Sequence, residues 1–351
     1  MRWKIGVLGL IHDHVWQHIP ELARRDDVTL SVADPNPPLL EQVRASYGVE
    51  RLYGDYADLL AREQPDAVLI FVDNAGKAEL VELAAGYGLP IMLEKPMADC
   101  LASAERIRVA ANAAGVPLMV NWPNAWNPEL RLAIDLARAG EIGDIYRISA
   151  RLGHAGPKEY GCSPYFWGWL YDRARNGGGA YIDYCGYGAS IARVVLGMPS
   201  RVHATIGRLQ KDYVAVDDNA VLTLRYPNAM AVFDATWTAN GPVPDGGPLF
   251  MGRGGTLVVR GKKALREGEV AQRGGVERID AEHPDGVLLP TRPLPAGEDS
   301  ATSYFLTRLR ADQPFDGLVS WQVGLDTQQI LEAGLQAEET GTEVSLPLRG
   351  A

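Results

Sequence analysis

Residues 90–96 read Pro-Ile-Met-Leu-Glu-Lys-Pro, an apolar run that ends in two charged residues and a proline. A short apolar run without polar alternation is typical of a strand that is buried on both faces of a parallel sheet. Open α/β sheets bind their ligands beyond the carboxyl ends of the strands. Lys95 therefore stands where a functional side chain is expected, although a lysine after a strand can also be a simple surface residue.

Strand-like and helix-like segments alternate on both sides of this stretch through the first third of the chain. At this spacing, the alternation predicts a doubly wound α/β domain. The predicted strands are 5–8, 29–33, 67–72, 90–93 and 117–120, and the predicted helices are 15–25, 38–47, 77–86 and 101–114.

The pattern changes after Asn121. An amphipathic helix at 128–139 is followed by longer segments that alternate apolar and polar residues, which indicates a mostly antiparallel sheet with one covered face. The segment Val243 to Gly255 is rich in glycine and proline, and we predict a loop there. The predicted strands are 145–151, 201–209, 219–226, 230–238 and 255–260, and a long helix is predicted at 322–339.

The composition is that of a soluble globular protein, with 351 residues, 46% of them hydrophobic and 22% charged. A net charge of −10 and the lack of a Lys/Arg cluster argue against a nucleic-acid partner. The three cysteines, Cys100, Cys162 and Cys185, suggest neither a disulfide framework nor a zinc site. No apolar stretch has the length of a signal peptide or a membrane span, so we expect a cytoplasmic protein without a membrane partner.

The first predicted strand leads into a turn that partly matches a dinucleotide-binding fingerprint. Asp34 lies 25 residues after Gly9 (34 − 9), close to the spacing of the acid that binds an adenosine ribose. However, the second and third glycine positions of G-x-G-x-x-G hold Ile11 and His14. A side chain at 11 limits how closely a pyrophosphate approaches the backbone. The alternative is a strand-turn-helix connection that needed one glycine.

The sequence His12-Asp13-His14 invites a metal interpretation. Two histidines without a spaced third ligand do not form a recognised zinc signature. We expect this turn to contact phosphate or to cap the following helix, and we predict no metal site.

A second constellation follows the glycine run 177–179, namely Asp183 and Tyr187. A lysine brought beside a tyrosine lowers the pKa of the phenol from about 10 toward neutrality. Lys95 and Tyr187 would then form a pair that takes the proton of a substrate hydroxyl as hydride leaves the carbon. The alternatives are that Asp183 caps a following helix and that Tyr187 is a packed aromatic.

An aromatic cluster precedes the glycine run. One interpretation is a wall on which the C–H face of a sugar packs, and the other is a hydrophobic clamp between domains. Its members are Tyr165, Phe166, Trp167, Trp169 and Tyr171.

Taken in order, these motifs resemble the Gfo/Idh/MocA oxidoreductases over nearly the whole chain. The motifs that carry the resemblance are Glu94-Lys95-Pro96, Gly140-Glu141-Ile142-Gly143, Gly177 to Asp183, Asp218-Asn219-Ala220, and Glu339-Thr340-Gly341 with Leu346-Pro347-Leu348. The resemblance implies an α/β protein with a Rossmann-type doubly wound parallel sheet and a C-terminal α+β domain with an open, mostly antiparallel sheet. We predict an NAD(P)-binding domain at 1–121 and a substrate-binding and oligomerisation domain at 122–351.

The resemblance also implies chemistry. In the family, the lysine at the position of Lys95 lies beside nicotinamide and substrate, and Asp183 precedes the acid/base residue by four positions. That residue is histidine in polyol-oxidising branches and tyrosine in others. Tyr187 therefore favours the branches similar to glucose–fructose oxidoreductase and to dihydrodiol or xylose dehydrogenases.

We accordingly expect an NAD(P)-dependent oxidoreductase that acts on a hydroxyl carbon of a sugar, sugar derivative, polyol or cyclic alcohol, and that forms a homo-oligomer through its C-terminal sheet. Residues 35–38 offer no Lys or Arg for a 2′-phosphate, which favours NAD over NADP. We assign cofactor contacts to Gly9, Ile11, His12, His14, Asp34, Val72, Asn74, Glu94 and Lys95. We assign substrate contacts to Asn121, Trp126, Tyr165, Trp167 and Trp169.

Two further departures from the family pattern leave the substrate open. Ala125 stands where an arginine is common, and Lys77 stands where a histidine commonly follows the third strand. Two other functions also stay open. One is a lyase or glycosidase that uses a transient keto-sugar and NAD without net redox. The other is a ligand-binding relative that lost the cofactor.

Overall fold

The computed structural model describes residues 2–241, 247–260 and 274–348. The chain forms two compact units, and both draw on separate parts of the sequence. The first unit comprises Met1–Trp122, Pro157–Gly178 and Ser300–Gln328, and the second comprises Pro123–Gly156, Gly179–Asp299 and Gln329–Ala351.

The first unit is built on a six-stranded parallel sheet. Its strands are β1 Trp3–Leu8, β2 Val28–Ala33, β3 Leu52–Tyr53, β4 Ala67–Ile70, β5 Ile91–Glu94 and β6 Leu118–Asn121. They lie in the order β3-β2-β1-β4-β5-β6, which is the order of a Rossmann-type doubly wound sheet. All residues of β4 and β5 are buried, as expected for apolar strands covered on both faces.

Helices alternate with these strands, and further helices of the first unit come from later in the chain. The first set is α1 Val15–Ala23, α2 Pro37–Tyr47, α3 Tyr56–Glu63, α4 Lys77–Gly86 and α5 Leu101–Ala114. Neither β3 nor α3 is among the elements predicted from the sequence. Helix α3 begins at a local cap, because the Asp55 side chain accepts a hydrogen bond from Asp58 N at 2.9 Å.

The second unit opens with a 3₁₀ turn at Pro123–Trp126, helix α6 Pro128–Arg138 and strand β7 Ile145–Gly153. Two short helices, α7 Pro164–Leu170 and α8 Arg173–Asn176, then belong to the first unit. A π-helical turn at Tyr181–Cys185 leads directly into α9 Gly186–Leu196.

The remaining elements complete the second sheet and add two helices. They are β8 Arg201–Gly207, β9 Asn219–Arg225, β10 Met230–Thr236, β11 Leu249–Gly252, β12 Gly255–Arg260, β13 Gly275–Ile279, β14 Val287–Leu289, α10 Ala301–Arg310, a 3₁₀ turn Gly317–Val319, α11 Trp321–Thr340 and β15 Val344–Ser345. Within the described residues, nine strands form one sheet in the order β14-β13-β12-β11-β7-β10-β9-β8-β15. The β7–β10 pair is parallel and the other pairs are antiparallel, so the sheet is mostly antiparallel, as predicted.

One segment differs from the prediction. Val243 to Gly255 was predicted as a loop, and its residues 243–246 lie outside the described residues. Leu249–Gly252, however, form β11, which pairs with β7 and β12. Phe250 is fully buried, and a Cβ on Gly252 would overlap the carbonyl of Ile142. The glycines that suggested a loop therefore permit close packing of a strand.

No helix in the described ranges combines the length and the apolar composition needed to cross a membrane.

Candidate active site

Gly9 forms a tight turn at the carboxyl end of β1. Its φ is +93°, and a Cβ at this position would lie 2.6 Å from Val72 Cγ1 and 2.7 Å from the Phe71 carbonyl oxygen. Only glycine fits such a place, because both the backbone conformation and the space exclude a side chain. The first glycine of the fingerprint is thus required by the fold of this turn.

Asp34 holds the same turn at the end of β2. Its Oδ2 accepts a hydrogen bond from Leu10 N at 2.6 Å, and its Oδ1 accepts from Asn36 N and Nδ2, both at 2.7 Å. Burial raises the pKa of Asp34, and these hydrogen bonds oppose that effect. A carboxylate has about four lone-pair sites, so Asp34 can still accept from a ribose hydroxyl.

Helix α7 packs on the residues that replace the later glycines. Trp169 Nε1 donates to the Ile11 carbonyl oxygen at 3.3 Å, and the ring centroids of His12 and Phe166 are 4.6 Å apart. His12 and Trp169 are each 1% exposed. Burial lowers the pKa of His12 well below its usual value, and His14 and Lys77 act in the same direction. His12 is therefore a neutral, packed side chain.

Asp13 fastens the start of α7 to this turn. Its Oδ2 accepts from Ser163 N at 2.7 Å and its Oδ1 accepts from Ser163 Oγ at 2.6 Å. Ser163 also caps α7, since its Oγ accepts from Phe166 N. Neither Asp13 nor Ser163 is among the site residues predicted from the sequence. The available signal was a serine followed by proline at the start of an aromatic helix.

His14, Glu94 and Asn121 form a hydrogen-bond chain at the carboxyl ends of β5 and β6, in which Glu94 and Asn121 are buried and His14 is partly exposed. His14 Nδ1 donates to Glu94 Oε1 at 2.9 Å, and Asn121 Nδ2 donates to Glu94 Oε2 at 2.7 Å. Burial opposes ionisation of Glu94, but attraction to His14 and the hydrogen bond from it lower the pKa of Glu94 overall. The Glu94 carboxylate is therefore fixed and charged.

Lys95 follows Glu94 and is 5% exposed. Its backbone N–H donates to the Asn121 carbonyl oxygen at 3.1 Å, which extends the pairing of β5 with β6 by one residue. Beneath it, the Lys77 Nζ donates to the carbonyl oxygens of Glu94 and Pro96 and to Asn74 Oδ1. The lysine at the strand end is thus embedded in a polar, hydrogen-bonded surround.

The donor atoms of His12, His14 and Glu94 all lie within 4.8 Å of one another, a spacing that could hold a metal ion. The chemistry of their surroundings argues against one. Glu94 is already hydrogen-bonded to His14, and two lysines, Lys77 and Lys95, lie close enough to lower the pKa of His12. A cation placed here would face both ammonium groups. We assign no metal to the cluster.

In the second unit, Asp183 lies inside the π-helical turn rather than at a helix start, so its interpretation as an N-cap is wrong. Its Oδ2 accepts from Trp237 Nε1 at 3.1 Å, and Trp237 is fully buried. Tyr187 is the second residue of α9. The ring centroid of Tyr184 is 6.0 Å from that of Tyr187 and 5.3 Å from that of His154. Trp237 thus orients the Asp183 carboxylate, and Tyr184 lies between the rings of Tyr187 and His154.

The glycine run fits close to protein backbone at two of its positions. Gly177 has a φ of +89°, and a Cβ there would overlap the carbonyl of Asp99. A Cβ on Gly179 would overlap the carbonyl of Asp217, whose side chain accepts from Gly179 N and Tyr181 N, both at 2.7 Å. These contacts explain why the sequence needs glycine before the π-helical turn.

The predicted substrate residues fall into different environments. Asn121 is buried and bonded to Glu94, and Trp169 is buried on His12. Tyr165 is 38% exposed, while Trp167 is half-buried with the Lys158 ammonium 5.6 Å from its ring. Trp126 ends the 3₁₀ turn of the second unit. Their contacts with a substrate stay predictions, as does the pairing of Lys95 with Tyr187.

Two family models match successive parts of the chain. A family described as an oxidoreductase with an NAD-binding Rossmann fold matches residues 4–122, and the GFO/IDH/MocA C-terminal domain matches residues 130–264. Together they cover more than half of the chain. The chain belongs to the Gfo/Idh/MocA family. The resemblance and the fold class predicted from the sequence are thereby confirmed.

Named members of the Gfo/Idh/MocA family are similar to this chain. D-apiose dehydrogenase of Paraburkholderia graminis is 29% identical over 236 residues, which are 67% of this chain and 59% of that protein. D-xylose 1-dehydrogenase (NADP(+)) 2 of Haloferax volcanii is 29% identical over 203 residues, 57% of this chain and 59% of that protein. The matched region thus spans about six tenths of each relative.

The fold agrees with solved structures of the same family. The aldose-aldose oxidoreductase of Caulobacter crescentus, complexed with glycerol, superposes with a TM-score of 0.80 at 21% identity, covering 99% of this chain and 100% of that one. At this identity the likeness establishes the Gfo/Idh/MocA fold in both units.

Proposed function

We propose that this protein is an NAD(P)-dependent dehydrogenase that oxidises a hydroxyl carbon of a sugar, sugar derivative or cyclic alcohol. The observation that carries the proposal is the grouping of Gly9, Asp34 and the Glu94–Lys95 pair, each at or directly after the carboxyl end of a strand in one parallel sheet. Open α/β sheets bind dinucleotides at that edge. Membership of an NAD-binding family supports the same conclusion.

The residues present fit a dinucleotide. Gly9 allows the tight turn after β1. Asp34 is anchored by three hydrogen bonds, and one of the about four lone-pair sites of its carboxylate stays for a ribose hydroxyl. The residues that would hold the cofactor are Gly9, Ile11, His12, His14, Asp34, Val72, Asn74, Glu94 and Lys95. When bound there, the nicotinamide cofactor would supply the acceptor for the hydride that leaves the substrate carbon.

The remaining steps belong to the side chains of the protein. The Lys95 ammonium binds the substrate oxygen and stabilises the negative charge that develops on it. Tyr187, as phenolate, takes the hydroxyl proton while the C–H bond breaks and the carbonyl forms. Asp183, oriented by Trp237, accepts a hydrogen bond from a neighbouring substrate hydroxyl.

NAD is the expected cofactor rather than NADP. Asp34 carries a negative charge that would repel a 2′-phosphate, and Asn36 with the surrounding prolines supplies no cation to bind one. The xylose dehydrogenase relative is named for NADP(+), so both cofactors belong in the test.

A second candidate is a relative that binds a ligand without using the cofactor. It is favoured by the packing of α7 on the turn, because the Ile11 carbonyl and the His12 ring are already engaged by Trp169 and Phe166. Binding of NAD in solution decides between the two.

The decisive experiment is a screen of aldoses, polyols and cyclic alcohols for reduction of NAD⁺ or NADP⁺, combined with mass analysis of any cofactor that co-purifies. We expect NADH formation with at least one sugar. Product without net NADH, together with tightly held NAD, would indicate a lyase or glycosidase instead. NAD binding is measured by tryptophan fluorescence. If no binding is detected at millimolar NAD, the dehydrogenase proposal is overturned.

We further propose that copies of the chain associate through the outer face of the nine-stranded sheet. Val221 and Met230 are 38% and 43% exposed on strands of that sheet, on the side opposite the buried residues. Light scattering on the wild type and on Val221→Lys tests this, since a charge at the interface should favour the monomer. A cytoplasmic location stays a prediction.

A further inference from the structure

Lys77, the first residue of α4, is fully buried. Its Nζ lies 2.8 Å from Asn74 Oδ1, 2.7 Å from the Glu94 carbonyl oxygen and 2.7 Å from the Pro96 carbonyl oxygen. A lysine ammonium has three N–H donors and no acceptor, so these three oxygens use its full donor capacity.

The position is otherwise unfavourable for a cation. Burial is the largest effect and lowers the pKa of Lys77 to about 7, with repulsion from Lys95 acting in the same direction. The start of a helix also carries a partial positive charge. Attraction to Glu94, Asp73 and Asp99 offsets only part of this. A methionine would pack here without that penalty, so the three hydrogen bonds are the property that lysine alone adds.

Two of the three oxygens belong to the residues on either side of Lys95. The Lys77 ammonium therefore joins the Glu94 and Pro96 carbonyls across the backbone of Lys95, whose own N–H is bonded to Asn121. The segment 94–96 is held from α4 on one side and from β6 on the other. These hydrogen bonds restrain the backbone on both sides of Lys95.

The third oxygen is itself held in place. Asn74 Nδ2 donates to Asn176 Oδ1 at 2.7 Å, so its Oδ1 faces Lys77. Asn176 Nδ2 donates in turn to the Gly178 carbonyl at 2.6 Å. A buried polar network thus runs from the 94–96 segment through Lys77 to the glycine run.

We propose that Lys77 is a positioning residue, whose ammonium fixes the 94–96 backbone so that Lys95 meets the substrate oxygen in one orientation. The inference rests on the proposed dehydrogenase function, which it deepens. A displacement of about 1 Å at a reacting group can lower turnover about 100-fold. A contact with the backbone of the catalytic lysine therefore has a kinetic consequence.

The test compares Lys77→Met with Lys211→Met. Lys211 is a matched control, since it is 6% exposed, bonds Tyr213 through its Nζ and lies in the second unit. With the substrate found in the screen, we expect Lys77→Met to lower kcat about 10- to 100-fold, with the Kd for NAD changed less than about threefold. Amide hydrogen exchange in a peptide covering 94–99 should rise in Lys77→Met and stay unchanged in Lys211→Met.

Rescue with amines separates the hydrogen bonds from the charge. In Lys77→Ala, added propylammonium should restore both kcat and slow exchange of the 94–99 peptide, whereas tetramethylammonium, which has no N–H, should restore neither. Should Lys77→Met not fold, Lys77→Gln serves for the exchange measurement, with a smaller expected rise because its amide keeps two donors. Wild-type kcat together with wild-type exchange in a folded Lys77 variant would overturn the proposal. A wild type that reduces neither cofactor refutes the dehydrogenase function instead, and the exchange result then judges Lys77 by itself.

Discussion

At the scale of single residues, the proposed proton transfer depends on whether the side chains of Lys95 and Tyr187 act together. They belong to different compact units, and each has a defined local setting: Lys95 beside Glu94 and Asn121, Tyr187 beside Tyr184. If the ammonium lowers the pKa of the phenol, removal of either group disables the same proton transfer.

A double-mutant cycle tests this pairing. Lys95→Met and Tyr187→Phe should each lower kcat by about 10² to 10⁴, and the double variant should be no slower than the slower single variant, because residues that act together are not additive. The Kd for NAD is measured alongside. If the loss in kcat of the double variant equals the product of the two single losses, the two side chains act independently.

His18 provides a pH prediction for stability. It lies in α1, is buried, and its Nδ1 is 2.9 Å from Thr302 Oγ1 of α10. Burial is the main cause that lowers the pKa of His18 to about 4. As the pH falls, His18 therefore takes up a proton at about pH 6.5 in the unfolded chain but only at about pH 4 in the folded chain. Stability from this residue is complete above pH 6.5 and is lost as the pH falls toward 4.

The full shift of the His18 pKa corresponds to a loss of about 3 kcal/mol in the free energy of unfolding. Urea unfolding at pH 4.5 and 7.0 should show it in the wild type. His18→Asn keeps a partner for Thr302 but cannot be protonated, so its stability should fall less across the same interval. Equal pH dependence in both proteins would contradict the assignment.

At the scale of elements, the packing of α9 on the second sheet is set by one small residue. A Cβ on Gly188 would overlap the ring of Phe233, which is fully buried in β10. The helix can approach the strand this closely only because position 188 has no side chain.

Gly188→Ala should therefore destabilise the protein by about 1 to 3 kcal/mol through overpacking. Gly86→Ala is the control, since a Cβ at the end of α4 meets nothing within 4 Å and its φ is not positive. That control should be neutral or stabilising by up to about 1 kcal/mol. Chemical unfolding of the three proteins measures the difference, and a Gly188→Ala protein as stable as the wild type would refute the packing argument.

Elements with a strong local signal were predictable from the sequence. The strand at 67–70 is apolar throughout and the strand at 91–94 is apolar up to Glu94, and the structure buries every one of their residues. Strand β11 was missed because its glycine, Gly252, is needed for tight packing against Ile142, and a local glycine count cannot distinguish this long-range cause from a loop. The π-helical turn that carries Asp183 was missed for a similar reason. It is held by Asp217, which is distant in sequence.

The residues of the candidate site also divide into those with a local sequence signal and those whose role depends on distant partners. Lys95 and Asp34 were found from strand ends and spacing, which are local properties. The roles of Asp13, Ser163 and Lys77 depend on partners that only folding brings near: Ser163 lies 150 residues from Asp13, and Pro96 lies 19 residues from Lys77. Lys77 departs from the family pattern in the sequence, but the oxygens it binds come near it only on folding.

At the scale of the whole molecule, the cofactor candidates all belong to the first unit, from Gly9 to Lys95, whereas Asp183 and Tyr187 belong to the second. The first unit also takes up 157–178 and 300–328, so α7, which packs on the Gly9 turn, is part of the unit that would bind the cofactor. A ligand that binds this unit in its folded form stabilises it by RT ln(1 + [L]/Kd).

NAD at 100 times its Kd should therefore stabilise the first unit by about 2.7 kcal/mol. Hydrogen exchange should slow mainly in peptides around Gly9, Asp34 and 94–99, and NADP at the same concentration should protect less. Asp34→Asn should lose most of this protection. Asp66→Asn is its control, because Asp66 also accepts a backbone N–H, from Lys4, but at the amino end of the sheet. If millimolar NAD leaves exchange in the wild type unchanged, the packing of α7 on the turn excludes the cofactor, and the ligand-binding alternative stands in its place.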